Sequence, residues 1–455
     1  MTNLGAIISG QREFFSSGQT RSLKYRKEQL EKLTRWIKTH DEAILSALRE
    51  DLGKARFEGY ATEVGIVLDE LRYVRNHLSA WAGDKRVPSP MKQFPSKCFR
   101  RPEPYGCVLL MSPWNYPFQL TAAPLVGAIA AGNCAIVKPS AYSPKTSSII
   151  ADMIGQCFPE NYIAIVEGGR EQNNALLTHK FDYIFFTGSI SVGKNVMRAA
   201  AETLTPITLE LGGKSPCIVD ETANYHLAAK RIAWGKFLNA GQTCVAPDYL
   251  LIHKEIKDPF VRALAKCVSE FYGADPLACS DYPKMINEKH FDRVLGLIRD
   301  EEVLLGGTSN RDLLKIAPTV IDHVRSDSPA MGEEIFGPVL PIISFENLRQ
   351  VVEQVTSRPK PLACYIFTNN KQNEGFLLDS LSFGGGCVND TVVHLATSHM
   401  PFGGVGESGM GGYHGKASFD TFSHYKSVLK KSQMIDLPLR YPPYKEAYLK
   451  LLKKI

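Results

Sequence analysis

Four short segments of the chain hold residues whose types and spacing can do chemistry. Asn239-Ala240-Gly241-Gln242-Thr243-Cys244-Val245-Ala246-Pro247 sets a cysteine just past a glycine that should stop a helix running through 232–238, and just before a strand near 249–253. A loop thiol is accessible, and its thiolate is a strong nucleophile; a buried structural thiol fits the same residues. In Ile207-Thr208-Leu209-Glu210-Leu211-Gly212-Gly213-Lys214, Glu210 ends an apolar strand beside two glycines. Partial desolvation there raises a carboxyl pKa and suits a general base; a surface glutamate at a strand end reads the same way. In Met111-Ser112-Pro113-Trp114-Asn115-Tyr116-Pro117, the Asn115 amide follows a strand and suits donation to a developing oxyanion. Two prolines and two aromatics packing a rigid turn is the alternative. Phe186-Thr187-Gly188-Ser189, with Gly193 beyond, ends a strand and opens a helix whose free N–H groups suit a phosphate. The spacing differs from G-x-G-x-x-G, and an ordinary β–α turn has this form too.

These segments need elements to hold them, and strands alternate with helices from Gly106 onward. Strands are expected at 106–111, 135–138, 162–166 and 183–186, with helices to about Ala131, near 146–157, and after each later strand. This rhythm predicts an α/β fold, with a parallel sheet covered on both faces and ligands at the strands' carboxyl ends. A second α/β block follows, with strands near 207–211, 249–253 and 362–367. Ahead of the first strand, apolar residues at helical spacing (Leu30, Leu33, Ile37) predict helices across 21–52, and another helical pattern covers 61–81. Residues 87–104 hold five prolines and little periodicity, and read as an excursion from the main body.

At 455 residues there is room for two or three domains, each with its own core. An apolar fraction of 44% with 22% charged residues excludes a disordered chain. The most apolar stretch, 122–137, is interrupted by Pro124, Gly127, Gly132 and Asn133, so no membrane span is expected. Residues 1–11 lack the basic-then-apolar order of a signal peptide. The ten cysteines occur singly, without Cys-x-x-Cys pairs or Cys/His zinc spacing. No metal is expected, and a reducing, cytoplasmic setting is. The net charge of +6 comes from residues 426–455, with eight Lys/Arg and two Asp/Glu; the preceding residues carry 45 of each sign. A neutral body with a basic tail is unlike a nucleic-acid binder. Within the tail, Tyr444, Tyr448, Leu451, Leu452 and Ile455 recur at helical spacing, with Lys445, Lys450, Lys453 and Lys454 elsewhere. That pattern suits weak peripheral contact with an anionic membrane, or packing on the body.

Taken together and in this order, the segments resemble the aldehyde dehydrogenase superfamily. The resemblance rests on Trp114-Asn115-Tyr116-Pro117, Lys138-Pro139-Ser140, Phe186-Thr187-Gly188-Ser189, Glu210-Leu211-Gly212-Gly213-Lys214, Gly241-Gln242-Thr243-Cys244, Glu333-Glu334-Ile335-Phe336-Gly337-Pro338 and Pro401-Phe402-Gly403-Gly404-Val405-Gly406. Gly409-Met410-Gly411-Gly412-Tyr413-His414-Gly415-Lys416 and Ser418-Phe419-Asp420-Thr421-Phe422-Ser423-His424 look like the class 3 branch. Similarity extends from about Phe14 to Pro443.

The resemblance implies a Rossmann-like cofactor domain (1–85 and 105–211), an α/β catalytic domain (212–400), a small oligomerisation arm (86–104 and about 415–440) and a basic tail (441–455). It implies oxidation of medium- to long-chain aliphatic or aromatic aldehydes to carboxylic acids by a homodimer using NAD or NADP. Cys244 would be the nucleophile, Asn115 with the Cys244 N–H the oxyanion hole, and Glu210 the base that activates water. Lys138 would bind the adenine ribose, and Gly188, Ser189 and Val192 would lie near the pyrophosphate and adenine. Glu334 and Phe336 would hold the nicotinamide ribose and ring. Trp114, Ser140, Gly193, Leu211 and Gly212 complete the expected cofactor contacts. One position departs from the family: Ala141 stands where a glutamate often follows the ribose-binding lysine by three residues. A carboxylate there would repel a 2′-phosphate, so Ala141 implies acceptance of NADP. A CoA-acylating dehydrogenase is disfavoured because Glu210 is retained. A non-catalytic nucleotide-binding relative is disfavoured because Cys244, Asn115 and Glu210 are all present.

Overall fold

The computed structural model describes residues 3–325 and 328–454. Met1 and Thr2 of the N-terminal segment and Ile455 of the tail pattern lie outside the described residues.

A six-stranded sheet runs in the order Gly409–Met410, Ile207–Glu210, Tyr183–Thr187, Cys107–Met111, Cys134–Lys138, Ile163–Ile165. All neighbours are parallel except the first pair. Three of its strands (Cys107–Met111, Cys134–Lys138 and Tyr183–Thr187) are buried at every position. That is why they read as unbroken apolar runs rather than as alternation. The chain winds outward from Cys107–Met111 to one side, then returns to add Tyr183–Thr187 on the other. The crevice at this reversal lies between the turn after Met111 and the turn after Thr187, where an open α/β sheet holds its ligand.

The helix Gln119–Ala131 is buried along its whole length and runs through Pro124, ending at Gly132. Its outer side is covered by the helices Leu23–Thr39 and Gly65–Trp81, and Leu30, Leu33, Leu71, Val74 and Leu78 share one core with Leu125 and Val126.

A seven-stranded sheet follows, in the order Glu302–Leu305, Thr319–Asp322, Val339–Phe345, Tyr249–His253, Pro216–Val219, Ala363–Phe367, Gly385–Val388. It is parallel except at Glu302–Leu305. Pro216–Val219 and Val339–Phe345 were not anticipated, because short apolar runs without alternation are ambiguous between strand and buried helix.

The proline-rich excursion also differs from its sequence reading, since it carries regular strands. Lys85–Val87 and Ser423–Lys431 pair antiparallel with the two edges of Ser96–Pro104. Pro102 and Pro104 are two residues apart, so their missing N–H groups face one edge. They lie beyond the Cys98–Arg100 stretch that pairs with Lys85–Val87, so that edge asks nothing of them. The tail forms a short helix, Glu446–Leu452, with no buried residue.

Candidate active site

The loop carrying Cys244 begins where the helix Tyr225–Phe237 ends. Asn239 (φ 51°), Ala240 (φ 51°) and Gly241 (φ 73°) are successive left-handed residues that reverse the chain. For Ala240 such a conformation costs on the order of 1–3 kcal/mol. Hydrogen bonds hold it: Asn239 Nδ2 donates to the Gln242 carbonyl (3.1 Å), and Gln242 Nε2 donates to the Asn239 and Lys284 carbonyls (3.0 Å each). Gly241 is required sterically as well, since a Cβ there would lie 2.2 Å from the Gly337 carbonyl oxygen.

Asn115 lies across from this loop. Its Nδ2 donates one N–H to the Gln242 carbonyl at 3.0 Å, and an amide nitrogen has a second N–H to offer. The Asn115 carbonyl accepts from Asn239 Nδ2 (2.8 Å) and Lys54 Nζ (3.0 Å). Lys54 and Glu63 form a fully buried ion pair (2.5 Å), and Glu63 Oε2 accepts from the Phe118 and Gln119 N–H groups at 2.9 and 3.2 Å. Tyr116 lies under the Lys54 ammonium, 3.8 Å from ring centre to Nζ, and its hydroxyl meets Thr243 Oγ1 at 2.7 Å. The turn and the cysteine loop are thus bolted together on both sides.

Cys244 stands where two cavities meet. One is mostly apolar and lined by Ile66, Leu120, Trp234, Leu238, Val393 and Leu395. The other is lined by Trp114, Asn115, Gly188, Ser189, Glu210, Leu211, Gly212, Glu334 and Phe336. Burial, with the nearby Glu334 and Glu210 carboxylates adding to it, pushes the Cys244 thiol up to about 12. The N–H groups of Cys244 and Val245 act the other way, favouring the thiolate. The same groups can receive negative charge on an adjacent oxygen. Glu210 is buried at the end of its strand, neither carboxylate oxygen has a partner among the described residues, and burial raises its pKa well above 4.5.

Glu334 is pushed up to about 8 by burial, while the Gly213 N–H favours its ionised form. It approaches the chain so closely that a Cβ on Gly212 would sit 1.9 Å from Glu334 Oε2. Arg293 supports this loop through the Ile335 carbonyl (2.6 Å) and Glu333 (2.9 Å). Phe336 packs edge-on to Trp114, with centroids 5.4 Å apart.

Four expected contacts do not line the second cavity. Lys138 ends the strand beside Cys107–Met111, buried, with its Nζ donating to the Pro139 carbonyl at 2.6 Å. Ser140 follows it and uses its carbonyl to accept from the Ser147 hydroxyl (2.7 Å). Val192 is exposed on the helix Ile190–Ala201, and Gly193 is buried where a Cβ would meet Leu211 at 2.7 Å, which assigns it to close packing. Gly188, Ser189 and the first residues of this helix line the cavity; the Gly188 N–H donates to the Glu210 carbonyl at 3.0 Å, while the first N–H groups of the helix have no intrahelical partner.

Lys54, Glu63, Asn239 and Gln242 had no role in the sequence reading, and nothing local to them signals one. His290 was also missed. It lines the second cavity 5.0 Å from the Trp114 ring, burial pushes its pKa down to about 4, and its buried Nδ1 has no hydrogen-bond partner among the described residues.

A family model described as Aldehyde dehydrogenase family matches residues 3–428. The chain is 50% identical over 434 residues to a Staphylococcus aureus 4,4'-diaponeurosporen-aldehyde dehydrogenase, covering 95% of each chain. It is 46% identical over 445 residues to a Rattus norvegicus protein named aldehyde dehydrogenase, dimeric NADP-preferring, covering 97% of this chain and 98% of that one. A solved structure, the substrate-bound state of Staphylococcus aureus AldH, superposes with a TM-score of 0.98 at 48% identity, covering 100% of this chain and 99% of that one.

Proposed function

The chain belongs to the aldehyde dehydrogenase family and oxidises aldehydes to carboxylic acids with NAD or NADP, and on that premise we propose that Cys244, Asn115 and Glu210 carry the reaction. The observation that supports these roles is the position of Cys244 between an apolar cavity and one lined by Glu210, Asn115 and a helix N-terminus.

The second cavity fits a dinucleotide. Unpaired N–H groups at the start of the helix Ile190–Ala201 suit its pyrophosphate, and the space that Gly212 leaves for Glu334 suits a ribose hydroxyl. When bound, the nicotinamide supplies the hydride acceptor. The Cys244 thiol gives up its proton to solvent through water, and Sγ forms a bond to the aldehyde carbon. The resulting oxyanion accepts from the free Asn115 N–H and the Cys244 backbone N–H. Loss of hydride from this carbon re-forms the carbonyl as a thioester on Cys244. Glu210 then removes a proton from water, whose oxygen attacks the thioester carbon; the acid departs and Sγ regains a proton. The desolvation that raises the pKa of Glu210 makes its ionised form a stronger base.

The apolar lining of the first cavity supports medium- to long-chain aliphatic or aromatic aldehydes, and the S. aureus relative is named for 4,4'-diaponeurosporen-aldehyde. Exposed Ala141 leaves room for a 2′-phosphate near Lys138, and the rat relative is named NADP-preferring. The cofactor domain comprises 1–85 and 105–211, the catalytic domain 212–400, and the arm 86–104 and about 415–440. The arm exposes Met91, Phe94 and Leu429, which supports a homodimer, the state named for the rat relative. The ten free cysteines suit a cytoplasmic setting. Among the described residues no helix is long and apolar enough to cross a membrane. Peripheral contact through the helix Glu446–Leu452, with Leu449 and Leu451 exposed beside basic residues, would be dismissed if deleting 444–455 left liposome sedimentation unchanged.

The test of the assignment is reduced-cofactor absorbance with NAD and NADP across aldehydes from acetaldehyde to dodecanal, without CoA. Cys244→Ala should abolish turnover and keep cofactor binding. Glu210→Gln should give a burst, then slow turnover with the acyl group's mass retained on Cys244. Normal thioester hydrolysis with lost hydride transfer would contradict the role of Glu210.

A further inference from the structure

Lys138 lies between two neighbours at the carboxyl end of the six-stranded sheet. On one side the Ser112 N–H donates to the Lys138 carbonyl (3.1 Å); on the other the Val166 N–H donates to the Val137 carbonyl (2.9 Å). The strand Ile163–Ile165 therefore delivers Glu167, one residue past Val166, beside Lys138. Glu167 is exposed and makes no hydrogen bond or ion pair among the described residues, while burial weakens the Lys138 ammonium and the Glu167 charge supports it. The turn after Glu167 is fixed, because the Gly169 N–H donates to Gln172 Oε1 at 2.9 Å and Gly168 (φ 124°) has the Gln172 side chain against it. A carboxylate thus lies near the lysine at the end of a neighbouring strand, while the position three residues after that lysine is Ala141.

We infer that Glu167 is the specificity-determining carboxylate for the adenosine end of the cofactor: it faces the ribose hydroxyls beside Lys138 and opposes a 2′-phosphate, so that it sets the ranking of NAD against NADP. The inference rests on the reading of Lys138 as the ribose-binding lysine. A phosphate monoester carries between one and two negative charges near neutral pH, and repulsion by a partly hydrated carboxylate at contact is worth about tenfold in affinity.

The experiment is calorimetric binding of adenosine 5′-monophosphate and adenosine 2′,5′-bisphosphate to the full chain, wild type, Glu167→Gln and Lys138→Met, with melting temperatures as the folding control. The glutamine keeps an acceptor oxygen and removes the charge. Glu167→Gln should raise the bisphosphate-to-monophosphate affinity ratio about tenfold at low salt, and less at high salt because the group is exposed. An unchanged ratio in Glu167→Gln, with Lys138→Met weakening the bisphosphate, overturns the inference and leaves the lysine reading standing. Binding of both nucleotides that is indifferent to Lys138→Met overturns the reading of this edge, and the inference with it.

Discussion

The Asn115 side-chain amide donates to the Gln242 carbonyl at 3.0 Å, so the proposed oxyanion donor is fastened to the loop that carries the proposed nucleophile two residues later. One N–H is spent on alignment, which leaves the other aimed by a fixed amide plane. Asn115→Ala should lower kcat by about 10²–10³-fold, the usual cost of one oxyanion donor. Alkylation of Cys244 by iodoacetamide should proceed at the wild-type rate, because the donor acts on the substrate oxygen and not on the thiol. A matching fall in alkylation would show that Asn115 only shapes the loop.

The buried Lys54–Glu63 pair ties the N-terminal helices to the Asn115 turn through the Asn115 carbonyl and the Phe118 and Gln119 N–H groups. Removing one partner leaves an uncompensated buried charge, at a cost of about 3–5 kcal/mol. Lys54→Met and Glu63→Leu should each lower the melting temperature sharply. The double variant should recover much of that loss, since no lone charge remains. Its kcat should stay low, because the Asn115 carbonyl is still without its Lys54 donor. Recovery of kcat in step with melting temperature would assign the pair to stability alone.

The placement of the candidate site residues in the fold was legible in the sequence for a physical reason. Glu210, Asn115 and Gly188 sit at or just beyond the carboxyl ends of parallel strands buried on both faces, and such strands announce themselves as apolar runs closed by Gly, Pro or polar residues. The loop position of Cys244 was legible from Gly241, whose left-handed φ and contact with Gly337 only glycine meets. The supports were not legible. Lys54 meets the Asn115 carbonyl 61 residues away, and Gln242 reaches Lys284 and Ile286 across more than forty. No local pattern encodes such distances. The strand Ser96–Pro104 escaped because its prolines argue against a sheet unless their free edge is known.

Glu210 should make the protein less stable as pH rises. Its folded pKa lies well above 4.5, so between about pH 4.5 and that raised value the folded state binds the proton that the unfolded chain releases. Stability then falls with pH, by at most about 1.4 kcal/mol per unit. Below about pH 4.5 both states are protonated and the group is neutral in its effect. Glu210→Gln removes the titration, so its melting temperature should match wild type near pH 4.5 and exceed it increasingly toward pH 8. Parallel curves across that range would mean that Glu210 is charged and stabilised in the folded enzyme.

Gly212 is the position where the cavity depends most directly on a missing side chain. A Cβ there would lie 1.9 Å from Glu334 Oε2 and 2.7 Å from its carboxyl carbon, so Gly212→Ala must displace the Glu334 carboxylate. The loop behind it cannot yield easily, because Asp248 accepts the Ile335 N–H at 2.8 Å and Arg293 holds the Ile335 carbonyl. The side chain must therefore rotate away from whatever it grips. If that is the nicotinamide ribose, NAD should bind about tenfold more weakly, the worth of a hydrogen bond to a charged group. Adenosine 5′-monophosphate, which lacks that ribose, should bind as in wild type. Calorimetry on both ligands separates the cases: equal weakening of the two would mean that Gly212→Ala deforms the whole crevice and that Glu334 has no selective hold on the nicotinamide end.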